Sequence, residues 1–151
     1  MAFPLPEPMR RALDEARQAA LAGEVPVGAV VARDGQVVAA ARNRMRTGRD
    51  PTAHAEMEAL RAAGEALGSE RLDECDLWVT LEPCAMCAGA IALARIRRLY
   101  FAAADPKGGA VLHGPMLFGQ PTCHHAPEVY GGIGEAEAAA LLRDFFRGRR
   151  T

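Results

Sequence analysis

The sequence predicts an α/β domain built on a mixed sheet, and three observations predict it. Apolar runs of strand length alternate with stretches of helical periodicity. The first two runs flank a tight-turn pair, Asp34-Gly35, which makes them an antiparallel hairpin. The later runs are separated by helices, and helical crossovers make their strands parallel. The elements follow in order. Met9, Ala12, Leu13, Ala16, Ala19 and Ala20 recur at helical spacing over 9–22, and Gly23 is a stop. Residues 27–32 and 37–41 are the hairpin strands. Asp50-Pro51-Thr52 opens a helix running to about Leu67, and 77–80 is a short buried strand. Glu82-Pro83 starts a second helix, with Pro83 at the first helical position, where no N–H is needed. That helix runs to about Arg95, and 99–103 is the next strand. Residues 105–119 form a glycine- and proline-rich loop with room for one short helix, Val129-Tyr130 is a brief fifth strand, and 135–147 is the last helix.

Length and composition bound the rest. The 151 residues suit one domain spanning 1–151, and a domain of that size buries roughly 70% of its unfolded surface. Apolar residues make up 50% and charged residues 25%, ordinary for a globular chain. The N-terminal octet holds Pro4, Pro6, Pro8 and Glu7 without an apolar core, unlike a secretory signal. The most apolar stretch, 85–94, falls far short of the ~20 residues that span a bilayer. No membrane association and a cytoplasmic location are therefore expected. The four cysteines do not form a disulfide framework. Cys84 and Cys87 sit three apart, while Cys75 and Cys123 have no sequence partner, a pattern that points to metal or catalysis.

Net charge is −1, but its distribution is uneven. Lys107 is the single lysine, and eleven of the seventeen arginines fall in three windows. These are Arg42, Arg44, Arg46 and Arg49; Arg95, Arg97 and Arg98; and Arg143, Arg147, Arg149 and Arg150. Any one cluster reads as a solvated face. Brought together by the fold, they would suit phosphates, which the planar arginine fork binds well.

Two segments carry chemistry: Thr52-Ala53-His54-Ala55-Glu56 and Leu81-Glu82-Pro83-Cys84-Ala85-Met86-Cys87. Each lies at the first turn of a predicted helix after a strand, where sites form in open α/β sheets. A helix N-terminus lowers thiol pKa and favours the thiolate that a metal requires. Cysteines at i and i+3 share one helix face, and His54 is a third ligand. Three protein ligands leave tetrahedral zinc one open position, which marks a catalytic site, and water there falls in pKa to about 7. Glu56 reaches that water without being a ligand, as a proton carrier should. A purely structural zinc would need a fourth protein ligand from Cys75 or Cys123. Cys75 is expected to be a buried thiol instead.

The pattern His54-Ala55-Glu56 followed by Pro83-Cys84-Ala85-Met86-Cys87 matches the H-x-E…P-C-x-x-C signature of zinc-dependent nucleobase deaminases. Nearly the whole chain resembles the cytidine deaminase-like superfamily and, within it, the bacterial tRNA-specific adenosine deaminases. The similarity runs through 24–30, 50–56, 79–84, 94–97 and 141–146. It implies a three-layer α/β/α fold with a mixed five-stranded sheet, Zn2+ as cofactor, a homodimer with shared sites, and conversion of wobble adenosine in the tRNA anticodon loop to inosine. By the same resemblance Asn43 bonds the flipped base, Val27 is the apolar wall behind it, and Asp105 and Lys107 touch the anticodon backbone. Phe145 and Phe146 lie where the family has aromatics near RNA. The plain alternatives are a turn amide for Asn43, a core valine for Val27, a solvated pair for Asp105 and Lys107, and core packing for the two phenylalanines.

Residues 108–134 depart from the pattern. Better-known members carry an Asn-His-Arg stretch there, and this chain has Pro121-Thr122-Cys123-His124-His125-Ala126-Pro127-Glu128-Val129-Tyr130. The departure bears on substrate more than on chemistry. Two other readings remain open: deamination of a free base or nucleoside such as guanine, cytosine or cytidine, and a binding module that uses zinc only to fold. Cys123-His124-His125 suggests a second metal, but loop histidines without an acidic partner are more often hydrogen-bonded or solvated.

Overall fold

The computed structural model describes residues 4–149. Residues 1–3 of the proline-rich N-terminus and Arg150 of the last arginine cluster lie outside the described residues. The hairpin forms as predicted, from β1 (Gly28–Arg33) and β2 (Gln36–Arg42). Asp34 and Gly35 take φ of 51° and 76°, the positive pair that a type I′ turn demands. β3 (Cys75–Leu81), β4 (Arg98–Ala103) and β5 (Glu128–Tyr130) complete a mixed sheet in the order β2-β1-β3-β4-β5. β3, β4 and β5 run parallel, and β1 joins β3 antiparallel.

Helices cover both faces because the strands are apolar on both. Ala29, Val31, Leu77, Val79, Leu99 and Phe101 point to one side, against α2 (Ala55–Leu67) and α3 (Ala85–Ala94) through Ala59, Ala63, Ala88 and Ile91. Val30, Ala32, Trp78 and Ala102 point to the other, against α1 (Glu7–Leu21) and α4 (Glu135–Arg147) through Met9, Ala12, Leu13 and Ala138. The result is the expected α/β/α sandwich with a five-stranded sheet. Among the described residues no helix is long and apolar enough to cross a membrane.

Two helix starts differ from expectation. Asp50-Pro51-Thr52 makes a turn of its own, in which the Asp50 carboxylate accepts the Thr52 N–H at 2.8 Å, and α2 begins at Ala55 with His54 as its cap. α3 likewise begins at Ala85 rather than at Pro83. Cys84 caps it in an extended conformation (φ −75°, ψ 177°), so Pro83 precedes the cap. The cap residue before each helix is kept extended, and in both cases it is a potential metal ligand. α4 also differs. Its core contact is Ala138, with Leu141 and Leu142 partly buried, while Phe145 is only half-buried and Phe146 is 49% exposed. Core packing is not the role of these two rings, which pack edge to face on each other.

Candidate metal centre and active site

The carboxyl ends of β3 and β4 lie beside the start of β1, and the site residues gather at this edge of the sheet. The Gly28 N–H donates to Thr80 Oγ1 at 3.1 Å, and the Glu82 N–H donates to Ala103 O at 2.8 Å, so the strands stay in register to their ends. His54 and Cys84 are the caps of α2 and α3, and neither side chain caps its own helix. Both instead turn toward each other. His54 Nδ1 lies 3.6 Å from Cys84 Sγ and 3.5 Å from Cys87 Sγ. Zinc bound tetrahedrally by sulfur at about 2.3 Å and nitrogen at about 2.0–2.1 Å sets a nitrogen-to-sulfur separation of about 3.6 Å. The donor set and its spacing therefore fit zinc. Among the described residues this is the one group of three or more His, Cys, Asp and Glu side chains arranged to hold a metal ion.

The electrostatics fit as well. The neighbouring Cys87 thiol, outweighing burial and aided by the Cys87 and Met86 backbone N–H groups and by His54, brings Cys84 down to about 5. The hydrogen bond with Cys84, together with burial, drives Cys87 upward. The two sulfurs share a hydrogen bond, and a cation between them would displace its proton. Glu56 is 4% exposed, in the first turn of α2. Burial pushes its carboxyl up to about 7, against its own backbone N–H and with help from the charge on Cys84. A carboxyl poised there can both take and give a proton near neutral pH.

The residues assigned by resemblance fall in several places. Asn43 is 5% exposed. Its Oδ1 accepts the Ala55 N–H at 2.8 Å, and its Nδ2 donates to Val25 O at 3.1 Å. It therefore satisfies an orphan donor at the start of α2 and keeps one donor and one lone pair to spare. Val27 is 4% exposed and packs in the core immediately before β1. Asp105 folds its loop locally, its carboxylate accepting the Lys107 and Gly108 N–H groups at 3.2 and 2.9 Å, while the Lys107 side chain is exposed. Phe145 lies beneath the Arg149 guanidinium, 4.4 Å from its ring centroid.

Cys123-His124-His125 forms no metal site among the described residues. His125 Nε2 bonds Ile96 O at 2.7 Å, and the Cys123 thiol donates to His125 O at 3.1 Å. Cys75 is 1% exposed, and burial pushes its thiol up, as expected of a core cysteine. The arginine clusters divide. Arg97 pairs with Asp76 at 3.1 Å and Arg98 with Glu128 at 2.9 Å, at the sheet edge opposite the site. Arg46 and Arg149 converge, both donating to Gly23 O, at 3.4 and 2.9 Å.

Two carboxylates have roles that the motifs do not announce. Glu24, 1% exposed, accepts the Arg46 and Thr47 N–H groups at 3.1 and 2.7 Å. Glu82, 2% exposed, gathers donors from residues 105–113. No motif marks either one, because each role depends on N–H groups that other loops bring to it.

Residues 6–150 match the MafB19-like deaminase family. The chain belongs to that family. This deaminase is 60% identical over 142 residues to a tRNA-specific adenosine deaminase of Agrobacterium fabrum, covering 94% of the chain and 93% of the relative. It superposes with a TM-score of 0.88 on a structure from a study of tRNA:A34 deaminases editing A to I at the wobble position. That match has 59% identity and covers 89% of the deaminase and 98% of the other chain. A guanine deaminase of Nitrosomonas europaea gives a TM-score of 0.75 at 27% identity, covering 96% of this chain and 85% of that one.

Proposed function

We infer that this chain is a zinc-dependent hydrolytic deaminase that converts wobble adenosine in tRNA to inosine, with residues 1–151 as one catalytic domain. The observation that carries the chemistry is the convergence of His54 Nδ1 on the two sulfurs at 3.6 and 3.5 Å, with Glu56 buried against them. Names carried by relatives at 59–60% identity favour tRNA as substrate. His54, Cys84 and Cys87 would hold Zn2+. The bound metal would supply a Lewis acid that makes water a nucleophile at neutral pH.

The chain's own residues do the rest. Glu56 takes a proton from the attacking water and delivers it to the purine ring nitrogen beside the amino-bearing carbon. It then takes the second water proton and passes it to the departing amino group. The sum is adenosine plus water giving inosine plus ammonia. Val27 would wall the base, and Asn43 would offer it the donor and lone pair left over from its backbone bonds. Asp105, Lys107 and Phe145 would contact the anticodon loop, whose bases are splayed and flipped for reading.

Arg44, directly after Asn43, would suit the RNA backbone. An outward-facing cavity of about 340 Å3 beside the 81% exposed Leu93 on α3 is consistent with self-association as a homodimer.

Guanine deaminases share this fold, so a free base is the second reading. One experiment separates them. Zinc-loaded protein is incubated with an unmodified arginine tRNA bearing wobble A, and in parallel with guanine, cytosine and cytidine. Inosine at the wobble position is expected, with little ammonia from the small substrates. Glu56→Ala should keep its zinc and lose activity by about 10²–10⁴-fold. Absence of inosine at high enzyme concentration overturns the tRNA reading. Full activity in Glu56→Ala overturns the proton-carrier role.

A further inference from the structure

The Glu82 side chain is 0% exposed, and among the described residues no lysine or arginine pairs with it. A buried carboxylate with so little opposing charge is costly unless hydrogen bonds saturate it. Four donors do so. Oε1 accepts the Asp105 N–H at 3.0 Å and faces His113 Nδ1 at 2.8 Å. Oε2 accepts the Val111 and Leu112 N–H groups at 3.2 and 2.9 Å. These donors come from both ends of one loop, 105–113, so a single carboxylate ties the loop shut at its base.

The rest of the loop is shaped around that anchor. Ala110 N donates to Pro83 O at 2.9 Å, and Gly109 N to Asp105 O at 2.8 Å. A Cβ at Gly109 would stand 2.5 Å from Glu82 Cδ, so only glycine lets the backbone lie against the carboxylate. At its other end Glu82 is two residues before Cys84 in the chain.

We propose that Glu82 is a positioning residue, whose carboxylate sets where Asp105 and Lys107 stand relative to the His54–Cys84–Cys87 centre. It touches neither substrate nor metal. Every group around it is a donor, so a glutamine in its place would turn an NH2 toward N–H groups and lose part of the anchor. The proposal rests on the tRNA reading only for its effect on KM. The anchoring itself can be tested without any substrate.

Lys107 is the sole lysine of the chain, and it lies inside the anchored loop. Cleavage of the zinc-loaded protein by a lysine-specific endoproteinase therefore reports on this loop alone. Glu82→Gln should be nicked at least about tenfold faster than the parent, since a mispaired buried acceptor weakens closure by that order. Its zinc content should be unchanged, and KM for a wobble-A anticodon stem-loop should rise while kcat stays within about twofold. His113→Ala, which removes one donor of the four from a partly exposed position, should be nicked at an intermediate rate and keeps the test decisive if Glu82→Gln does not fold. Parental nicking rates in Glu82→Gln, or in His113→Ala where that is the only folded variant, overturn the proposal. So does loss of zinc with falling kcat at constant KM, which would tie Glu82 to the metal centre instead of the loop.

Discussion

Glu24 shows how much one buried side chain organises. It is 1% exposed, and its oxygens fix the backbone of Arg46 and Thr47, in the loop that precedes α2. Burial raises its pKa, but the Thr47 and Arg46 N–H groups outweigh burial, and the net shift is downward from 4.5. A folded pKa below the unfolded one means the native state binds fewer protons. The stability this carboxylate contributes is therefore present above pH 4.5 and lost as pH falls through the lower folded value. Glu24→Gln should cost about 1–3 kcal/mol near neutral pH, because one acceptor becomes a donor facing N–H groups. The gap between parent and variant in urea unfolding should close as pH drops below 4.5. A gap that is flat with pH would mean the charge contributes nothing. The site residues divide by how their roles are encoded. His54, Glu56, Cys84 and Cys87 are legible in the sequence, because metal chemistry demands those residue types at those spacings. Glu24, Glu82 and the backbone bonds of Asn43 are not, because their roles depend on which N–H groups distant loops bring to them.

At the scale of elements, the hairpin, the helices and even the three-residue β5 are legible, since turn chemistry and apolar period write them locally. The helix starts are not: Pro83 and Asp50-Pro51-Thr52 look like helix openings, yet His54 and Cys84 remain extended caps. A local code cannot register that a side chain is needed elsewhere. How elements seat against one another is equally hidden. Gly28 begins β1 where α1 crosses it, and a Cβ there would lie 2.0 Å from Ala12 O and 2.8 Å from Ala16 N. Backbone atoms cannot swing aside as side chains can, so Gly28→Ala must lift α1 from the sheet. The expected loss is about 1–3 kcal/mol or more, as for other overpacked cores. Thermal or urea unfolding measures it, with Gly89→Ala as control, since a Cβ at Gly89 meets nothing within 4 Å. Equal midpoints for the parent and Gly28→Ala would contradict this seating of α1.

Across the whole molecule, a net charge of −1 conceals two unlike ends. At one end of the parallel strands Arg97 and Arg98 are neutralised by Asp76 and Glu128. At the other, Arg46 and Arg149 meet on Gly23 O, and Arg44 follows Asn43, its N–H bonded to Ala53 O at 2.9 Å beside His54. None of Arg44, Arg46 and Arg149 has a carboxylate partner among the described residues, and neither do Arg33 and Arg95 at the far end, whereas Arg10, Arg17, Arg61 and Arg71 all do. Cations left unpaired beside the candidate active site are available to phosphates, and each phosphate neutralised releases counterions. Binding of a wobble-A stem-loop to the zinc-loaded Glu56→Ala protein should therefore weaken linearly in log–log plots against salt. Arg44→Ala should reduce that slope by about 0.7, the value per phosphate for single strands. Arg149→Ala should do the same, with its unfolding midpoint checked because it also bonds Gly23 O. Arg98→Ala, at the far end, should leave the slope unchanged. If Arg98→Ala lowers the slope as much as Arg44→Ala does, the RNA does not approach from the metal side and the polarity argued from these ion pairs is wrong.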